Sequence, residues 1–69
     1  MNAKLHDAIR TATAADDAWS AELVARFGKD AGDARYQRRG EGEPGSPLRM
    51  AYDARQDAVG LMRMLYADQ

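Results

Sequence analysis

A glycine- and proline-rich stretch, GEGEPGSP at residues 40–47, constrains the fold of this chain more than any other feature. Glycine loses more conformational freedom in a helix than other residues, and proline lacks a backbone N–H, so a helix does not continue through this stretch. On either side of it alanine is abundant and β-branched residues are scarce, which favours helix over strand. The sequence therefore predicts two helices that fold back as an antiparallel hairpin.

The first predicted helix covers residues 3–27. Asn2 is suited to cap its N-terminus, and Gly28 stands where a C-terminal cap is expected. Between them, apolar residues recur at the three- and four-residue steps of a helix face: Leu5, Ile9, Ala12, Trp19, Leu23 and Phe27. Residues 28–46 are predicted as a loop. The alternative is that the helix resumes as a short turn within DAGDARYQRR at residues 30–39.

The second predicted helix covers residues 47–66. Ser46 is a favourable N-cap, and Pro47 suits the first helical position because its missing N–H would be unpaired there anyway. The apolar residues of this helix follow the same helical spacing: Leu48, Ala51, Tyr52, Ala58, Val59, Met62, Leu65 and Tyr66. Residues 1–69 are thus predicted to form a single all-α domain.

Both helices carry a wider apolar face than a hairpin needs. The arc on the second helix spans roughly half of its circumference, against about 100° for an ordinary surface helix. A chain of 69 residues without cysteine has a small core and no disulfide to support it. We therefore predict a homodimer that forms a four-helix bundle, with four residues in or beside the interface: Trp19, Leu23, Leu61 and Leu65.

Two charged residues, Asp16 and Arg55, lie within these apolar faces. A buried charge without a partner is costly, so such residues normally pair. We predict a buried ion pair between them, within one chain or across the dimer. The alternative is that each side chain reaches water at a helix edge.

The residue types exclude most enzymatic and metal chemistry. The only histidine is His6, no cysteine is present, and no carboxylates join them at metal-ligand spacing. GEGEPG lacks the lysine and the preceding strand of a phosphate-binding loop. The sequence predicts a protein without catalytic activity, metal or cofactor.

Charge and hydropathy bear on partners and location. Ten lysines and arginines nearly balance eleven acidic residues, so there is no global field to attract nucleic acid. No apolar run approaches the roughly 18–20 residues of a membrane span, and the N-terminal residues lack the apolar region of a secretory signal. We expect a cytoplasmic protein that does not enter a membrane.

A basic run, RYQRR at residues 35–39, is the best candidate for a partner-binding surface. Arginine and an aromatic ring together suit an acidic protein surface. The predicted partner-binding residues are Arg35, Tyr36, Arg38, Arg39 and Arg49. The alternative is a solvated helix end whose arginines meet helix carbonyls and neighbouring glutamates.

The layout of the chain resembles a family of small phage-encoded proteins, the quorum-sensing anti-activators, which are short, two-helix and dimeric. The resemblance is carried by length and helical pattern, and by the following residues: Trp19, Leu23, Phe27-Gly28, Asp33-Ala34-Arg35-Tyr36, Leu48-Arg49 and Ala51-Tyr52. Members bind the DNA-binding region of a host LuxR-type transcription regulator, and also a type IV pilus motor. The resemblance implies a host-directed inhibitor without enzymatic activity.

Two other functions remain open from the sequence: a helical-bundle RNA-binding protein and a structural or assembly module. An RNA binder would align its basic residues along one helix face. Lysines and arginines of both helices are instead scattered among acidic residues: Lys4, Arg10, Arg26, Arg49 and Arg63. This distribution favours a protein partner.

Overall fold

The computed structural model describes residues 3–68, which form a helical hairpin. Two long antiparallel helices, α1 (Ala3–Phe27) and α3 (Pro47–Ala67), pack against each other along their length. The segment between them contains a 3₁₀ turn (Gly28–Asp30), a one-turn helix α2 (Ala31–Ala34) and a second 3₁₀ turn (Arg38–Glu41). No strand occurs within residues 3–68, and the predicted all-helical hairpin is confirmed.

The helix ends follow from local chemistry. Gly28 takes a positive φ of 57°, which a residue with a side chain adopts only with strain, and α1 ends there. At the start of α3 the Ser46 hydroxyl accepts a hydrogen bond from the Arg49 backbone N–H at 3.1 Å. The helix ends at Ala67, one residue beyond the predicted end. The predicted cap Asn2 lies outside the described residues.

The segment at residues 28–46 is more ordered than the predicted loop. The alternative in which the chain resumes as a short turn describes it better, because α2 forms directly after the first 3₁₀ turn. Ala34 at the end of α2 is completely buried. The segment therefore folds back over the hairpin and covers its closed end, which we define as the end where α1 and α3 are connected.

The main hydrophobic core lies at this closed end. Its buried members are Trp19, Leu23, Ala34 and Leu48, and further apolar side chains pack around them. Trp19 and Leu23 were predicted at a dimer interface, but they are only 4% and 2% exposed within a single chain. Within one chain the segment after α1 covers the face that a bare hairpin would leave open, and a position of these two residues beside a second copy stays a prediction.

The molecule is elongated, and its outer faces are less covered than in a typical monomer. It measures 38 × 22 × 17 Å, and its radius of gyration of 13.2 Å exceeds the value of about 11 Å expected for this length. The exposed surface of 4858 Å² likewise exceeds the roughly 4,300 Å² expected from the mass. Leu61, which is 50% exposed, illustrates the apolar surface that remains on α3.

Candidate functional site

The indole ring of Trp19 fixes the connecting segment to the hairpin. Its Nε1–H donates a buried hydrogen bond to the carbonyl oxygen of Gly40, at 2.9 Å. The ring of Tyr52, on α3, meets the indole edge-on with ring centroids 5.4 Å apart. One side chain thus joins α1, α3 and the second 3₁₀ turn.

Gly40 is required at this position because the backbone passes too close for a side chain. A Cβ atom built on Gly40 would lie 2.1 Å from the carbonyl oxygen of Ala34, far inside any van der Waals contact. The close approach lets the second 3₁₀ turn pack directly on α2. It also places the Gly40 carbonyl where the indole of Trp19 can donate to it.

Two arginines flank the same indole and share one carboxylate. The guanidinium carbons of Arg35 and Arg55 lie 4.7 and 5.4 Å from the Trp19 ring centroid. Asp16 Oδ1 accepts from Arg55 Nε at 3.2 Å and also from Arg35 Nη2. Arg35 Nη1 donates to the hydroxyl of Ser20 at 3.0 Å. We call Asp16, Arg35 and Arg55 the carboxylate hub.

The hub holds Asp16 in its charged form. Burial alone would raise the pKa of the Asp16 carboxyl, but the hydrogen bonds and positive charges of Arg35 and Arg55 outweigh burial and lower it. The predicted pairing of Asp16 with Arg55 is present within one chain, but it is not buried. Their side chains are 32% and 28% exposed, because the pair lies at the edge of the helix contact rather than inside it.

Arg35 and Arg49, two of the predicted partner-binding residues, make contacts within their own chain, and their contact with a partner stays a prediction. Arg35 turns inward to the carboxylate hub. Arg49 pairs with Asp53 at 3.1 Å and donates to the carbonyl oxygen of Gly42 at 3.3 Å. Both side chains hold the connecting segment, since their long stems reach fixed carboxylates and carbonyls nearby.

A further ion pair holds the same segment from the α1 side. Arg26, in the last turn of α1, contacts both carboxylate oxygens of Glu43, with Nη1 2.7 Å from Oε2. Two-point contacts of this kind fix geometry better than single ones. This ion pair was not predicted, because the alternative with neighbouring glutamates concerned the arginines of residues 35–39 and not Arg26.

The remaining residues of the RYQRR run point outward. Tyr36 is 86% exposed, and Arg38 and Arg39 are also exposed. Arg39 donates from Nε to the Gln37 side-chain oxygen at 2.5 Å, and its guanidinium carbon lies 5.0 Å from the Phe27 ring centroid. Among the described residues, no hydrogen bond, ion pair or ring contact engages the guanidinium of Arg38. We call Tyr36, Arg38 and Arg39 the basic ridge.

The basic ridge separates two clefts. The first, of about 370 Å³, has the following lining residues: Arg35, Tyr36, Gln37, Arg38, Glu41 and Tyr52. The second, of about 250 Å³, lies on the other side of Arg38 and is lined by Arg26, Phe27, Arg38, Arg39, Gly42 and Glu43. Arg38 faces both clefts. The ridge thus presents a cation and an aromatic ring with a concave surface on either side.

No sequence pattern directly indicated the Trp19–Gly40 hydrogen bond or the inward turn of Arg35. Both depend on the path of the connecting segment, which local patterns do not define. One signal was present, because Asp16 lies three residues before Trp19 on an apolar face. A charge in that position needs a strong partner, and two arginines supply it.

Within residues 3–68, no group of three or more His, Cys, Asp or Glu side chains could hold a metal ion. None of the helices described is long and apolar enough to traverse a bilayer. Comparison of the chain with protein-family models, curated proteins and solved structures found no match.

Proposed function

We propose that this chain is a non-enzymatic protein-binding module that docks its basic ridge onto an acidic surface of a partner protein. The observation that carries the proposal is the outward position of Tyr36 and Arg38 on a segment fixed from beneath. Arginine and tyrosine are enriched in binding hot spots, because they combine large contact area with directional polar groups.

The support beneath the ridge favours binding. Trp19, the carboxylate hub and Arg49 tie the connecting segment to both helices. A surface that is already fixed loses less conformational entropy when it binds, so more of the contact energy remains as affinity. The ridge therefore suits a site that recognises a partner without first folding.

The resemblance to phage anti-activators suggests which partner to test. We propose a host protein, with the DNA-binding region of a LuxR-type regulator as the first candidate and a type IV pilus motor as the second. A small module that covers such a surface inhibits its host by occlusion alone. No catalytic step is needed for this action.

The ion pairs that the arginines form within the chain favour a protein partner over RNA. Phosphate binding depends on how many cations are available to replace counterions. Five arginines already contact carboxylates of their own chain: Arg10, Arg26, Arg35, Arg49 and Arg55. Their charges are largely neutralised, which leaves the compact basic ridge instead of an extended basic face.

We also propose that two copies associate into a four-helix bundle through the exposed part of α3. Leu61 and the partly buried Leu65 belong to this surface, whereas Trp19 and Leu23 serve the core of each copy. The excess of exposed surface over a typical monomer supports association. A dimer would present two basic ridges, one from each closed end.

The binding proposal is tested by a triple variant, Tyr36→Ala with Arg38→Ala and Arg39→Ala. Calorimetric titration with the purified DNA-binding region of a LuxR-type regulator should show affinity about tenfold weaker or more, which corresponds to the roughly 1–2 kcal/mol of hot-spot residues. Helix content should be unchanged, because all three side chains are exposed.

The matched control is the double variant Arg10→Ala with Arg63→Ala, which removes the same number of positive charges from exposed sites outside the connecting segment. Its affinity should equal that of the original chain. The proposal is contradicted if the triple variant binds as tightly as the original chain. It is also contradicted if the control weakens binding as much as the triple variant does, because binding then does not depend specifically on the basic ridge. If an intact dimer binds neither the regulator nor the pilus motor, the function as an assembly module is favoured.

A further inference from the structure

One side of α3 carries a seam with coiled-coil spacing. Its members recur at alternating steps of three and four residues, the pattern that places side chains in one line along a helix pair: Ala51, Ala54, Ala58, Leu61 and Leu65. We call these five residues the α3 seam. It lies beside the face that α3 presents to α1, where Leu48 is buried.

Most of the α3 seam is accessible to solvent in a single chain. Ala54 and Leu61 are exposed, Ala58 and Leu65 are partly buried, and Ala51 is partly buried against the core. Two methionines, Met50 and Met64, run along the outer edge of the seam and are 67% and 66% exposed. An exposed leucine with exposed methionines beside it indicates a surface that a partner helix covers.

Side-chain size varies in a directional way along the seam. The members toward the closed end are alanines, and the two toward the open end are leucines. If two copies packed their seams in parallel, leucine would face leucine at one end and alanine would face alanine at the other. The helices would then be forced apart at one end only, since interaxial distance depends on the side chains at the contact.

An antiparallel arrangement removes this mismatch. Each leucine of one seam then faces an alanine of the other, so the summed side-chain volume is the same at both ends. Met50 of one copy likewise lies beside Met64 of the other at both edges. Large and small residues that alternate across an interface give close packing without voids.

We propose that the occupant of the α3 seam is a second copy of this chain, packed antiparallel, with the two-fold axis near Ala58. This inference rests on the dimer of the proposed function and adds its orientation. The 21 residues of α3 extend about 31 Å, which is long enough for a helix pair to contribute much of the roughly 800 Å² per partner of a stable interface. The two basic ridges then lie at opposite ends of the dimer.

The same arrangement brings one like-charge pair together. Asp57 lies on the edge of the seam between Met50 and Met64, one residue from the axis. Antiparallel packing sets it close to Asp57 of the second copy, whereas parallel packing does not. Like charges in such proximity weaken association. Asp57→Asn should therefore strengthen the dimer several-fold, measured by sedimentation equilibrium, and an unchanged or weaker dimer would contradict the orientation.

The decisive experiment measures distances between identical spin labels in the two copies. The chain has no cysteine, so Gln56→Cys and Ala67→Cys each provide one labelling site at an exposed position. In an antiparallel dimer the labels at position 56 lie near the axis. Along the helix direction those at position 67 are offset by on the order of 20 Å more, from the helical rise of each copy. Both positions lie on the side of α3 away from the seam, so the measured distances differ by less than this offset.

Three outcomes are possible, and each is informative. A distance at position 67 that is clearly longer than the distance at position 56 supports the antiparallel seam. Equal distances at both positions, with a dimer mass by light scattering, overturn the orientation but leave the dimer. A monomer mass at tens of micromolar overturns the dimer and the orientation together, and leaves binding by the basic ridge to its own test.

Discussion

Asp16 ties three elements together with a single carboxylate. Its Oδ1 accepts from Arg55 on α3 and from Arg35 on the connecting segment, while Asp16 itself belongs to α1. The sequence predicted the first contact, because both residues interrupt apolar helix faces. It did not predict the second, because the position of Arg35 depends on the path of the connecting segment, which local patterns do not define.

The lowered pKa of Asp16 gives a pH dependence with a definite sign. The carboxyl binds protons less readily when folded than when unfolded, so its stabilisation is full above its ordinary pKa near 3.8 and is lost as the pH falls toward the lower folded value. Asp16→Asn should lower the free energy of unfolding by about 1–2 kcal/mol at pH 7, at the low end for hydrogen bonds to charged groups because the side chains are partly exposed.

Urea unfolding at pH 7, 5 and 3 checks this dependence. The difference between the original chain and Asp16→Asn should persist at pH 5 and shrink at pH 3. Asp17→Asn is a suitable control, because Asp17 is adjacent, exposed and outside the carboxylate hub. A difference that grows on acidification would contradict the assignment of the stabilisation to the ionised carboxylate.

The connecting segment is the element that the sequence predicted least well. Its glycines and prolines correctly ended both helices, and Ser46 and Pro47 correctly marked the start of α3. Local patterns did not reveal that residues 28–46 fold onto Trp19. That arrangement depends on the contact between the Gly40 and Ala34 backbones, residues that are separate in sequence and have no distinctive side-chain chemistry.

Gly40→Ala tests how tightly this element is packed. The added methyl group collides with the Ala34 carbonyl and displaces the acceptor of the Trp19 indole, so we expect a loss of about 1–3 kcal/mol in the free energy of unfolding. Trp19 is the only tryptophan, and its fluorescence emission should shift as the hydrogen bond is lost. Chemical unfolding followed by fluorescence measures both effects.

Gly60→Ala is the matched control for that variant. Gly60 lies within α3, and a Cβ atom built there meets no atom within 4 Å. Alanine should therefore increase stability by up to about 1 kcal/mol through its higher helix propensity. Equal destabilisation by both variants would show that Gly40 is not under special steric constraint.

At the scale of the whole molecule, the hairpin divides into two regions with different surfaces. The closed end combines the core around Trp19 with an outward basic ridge, and the rest of α3 carries the exposed seam. The helical spacing of the sequence predicted a surplus of apolar surface. The same spacing assigned Trp19 to the surplus apolar surface. Periodicity alone does not distinguish a face covered by the same chain from one covered by a second copy.

Leu61→Asp tests the α3 seam without disturbing the basic ridge. Leu61 is half exposed in a single chain, so the variant should keep its helix content by circular dichroism. A charge buried between two copies is costly without a partner, and light scattering should report a monomer of 7.6 kDa. Gln56→Asp adds the same charge off the seam and should remain dimeric. If the Leu61→Asp variant remains dimeric, Leu61 does not belong to the interface.

The hydrogen bond from the Trp19 indole to the Gly40 carbonyl lets the exposed side chains of the basic ridge evolve separately from the fold. It anchors the connecting segment through a main-chain atom, and the outward side chains of the basic ridge take no part in it. Mutations can therefore alter the chemistry of the ridge while the fold beneath stays intact. A chain built in this way tolerates changes in these exposed side chains, and it offers a small cysteine-free scaffold for randomised libraries at positions 36, 38 and 39.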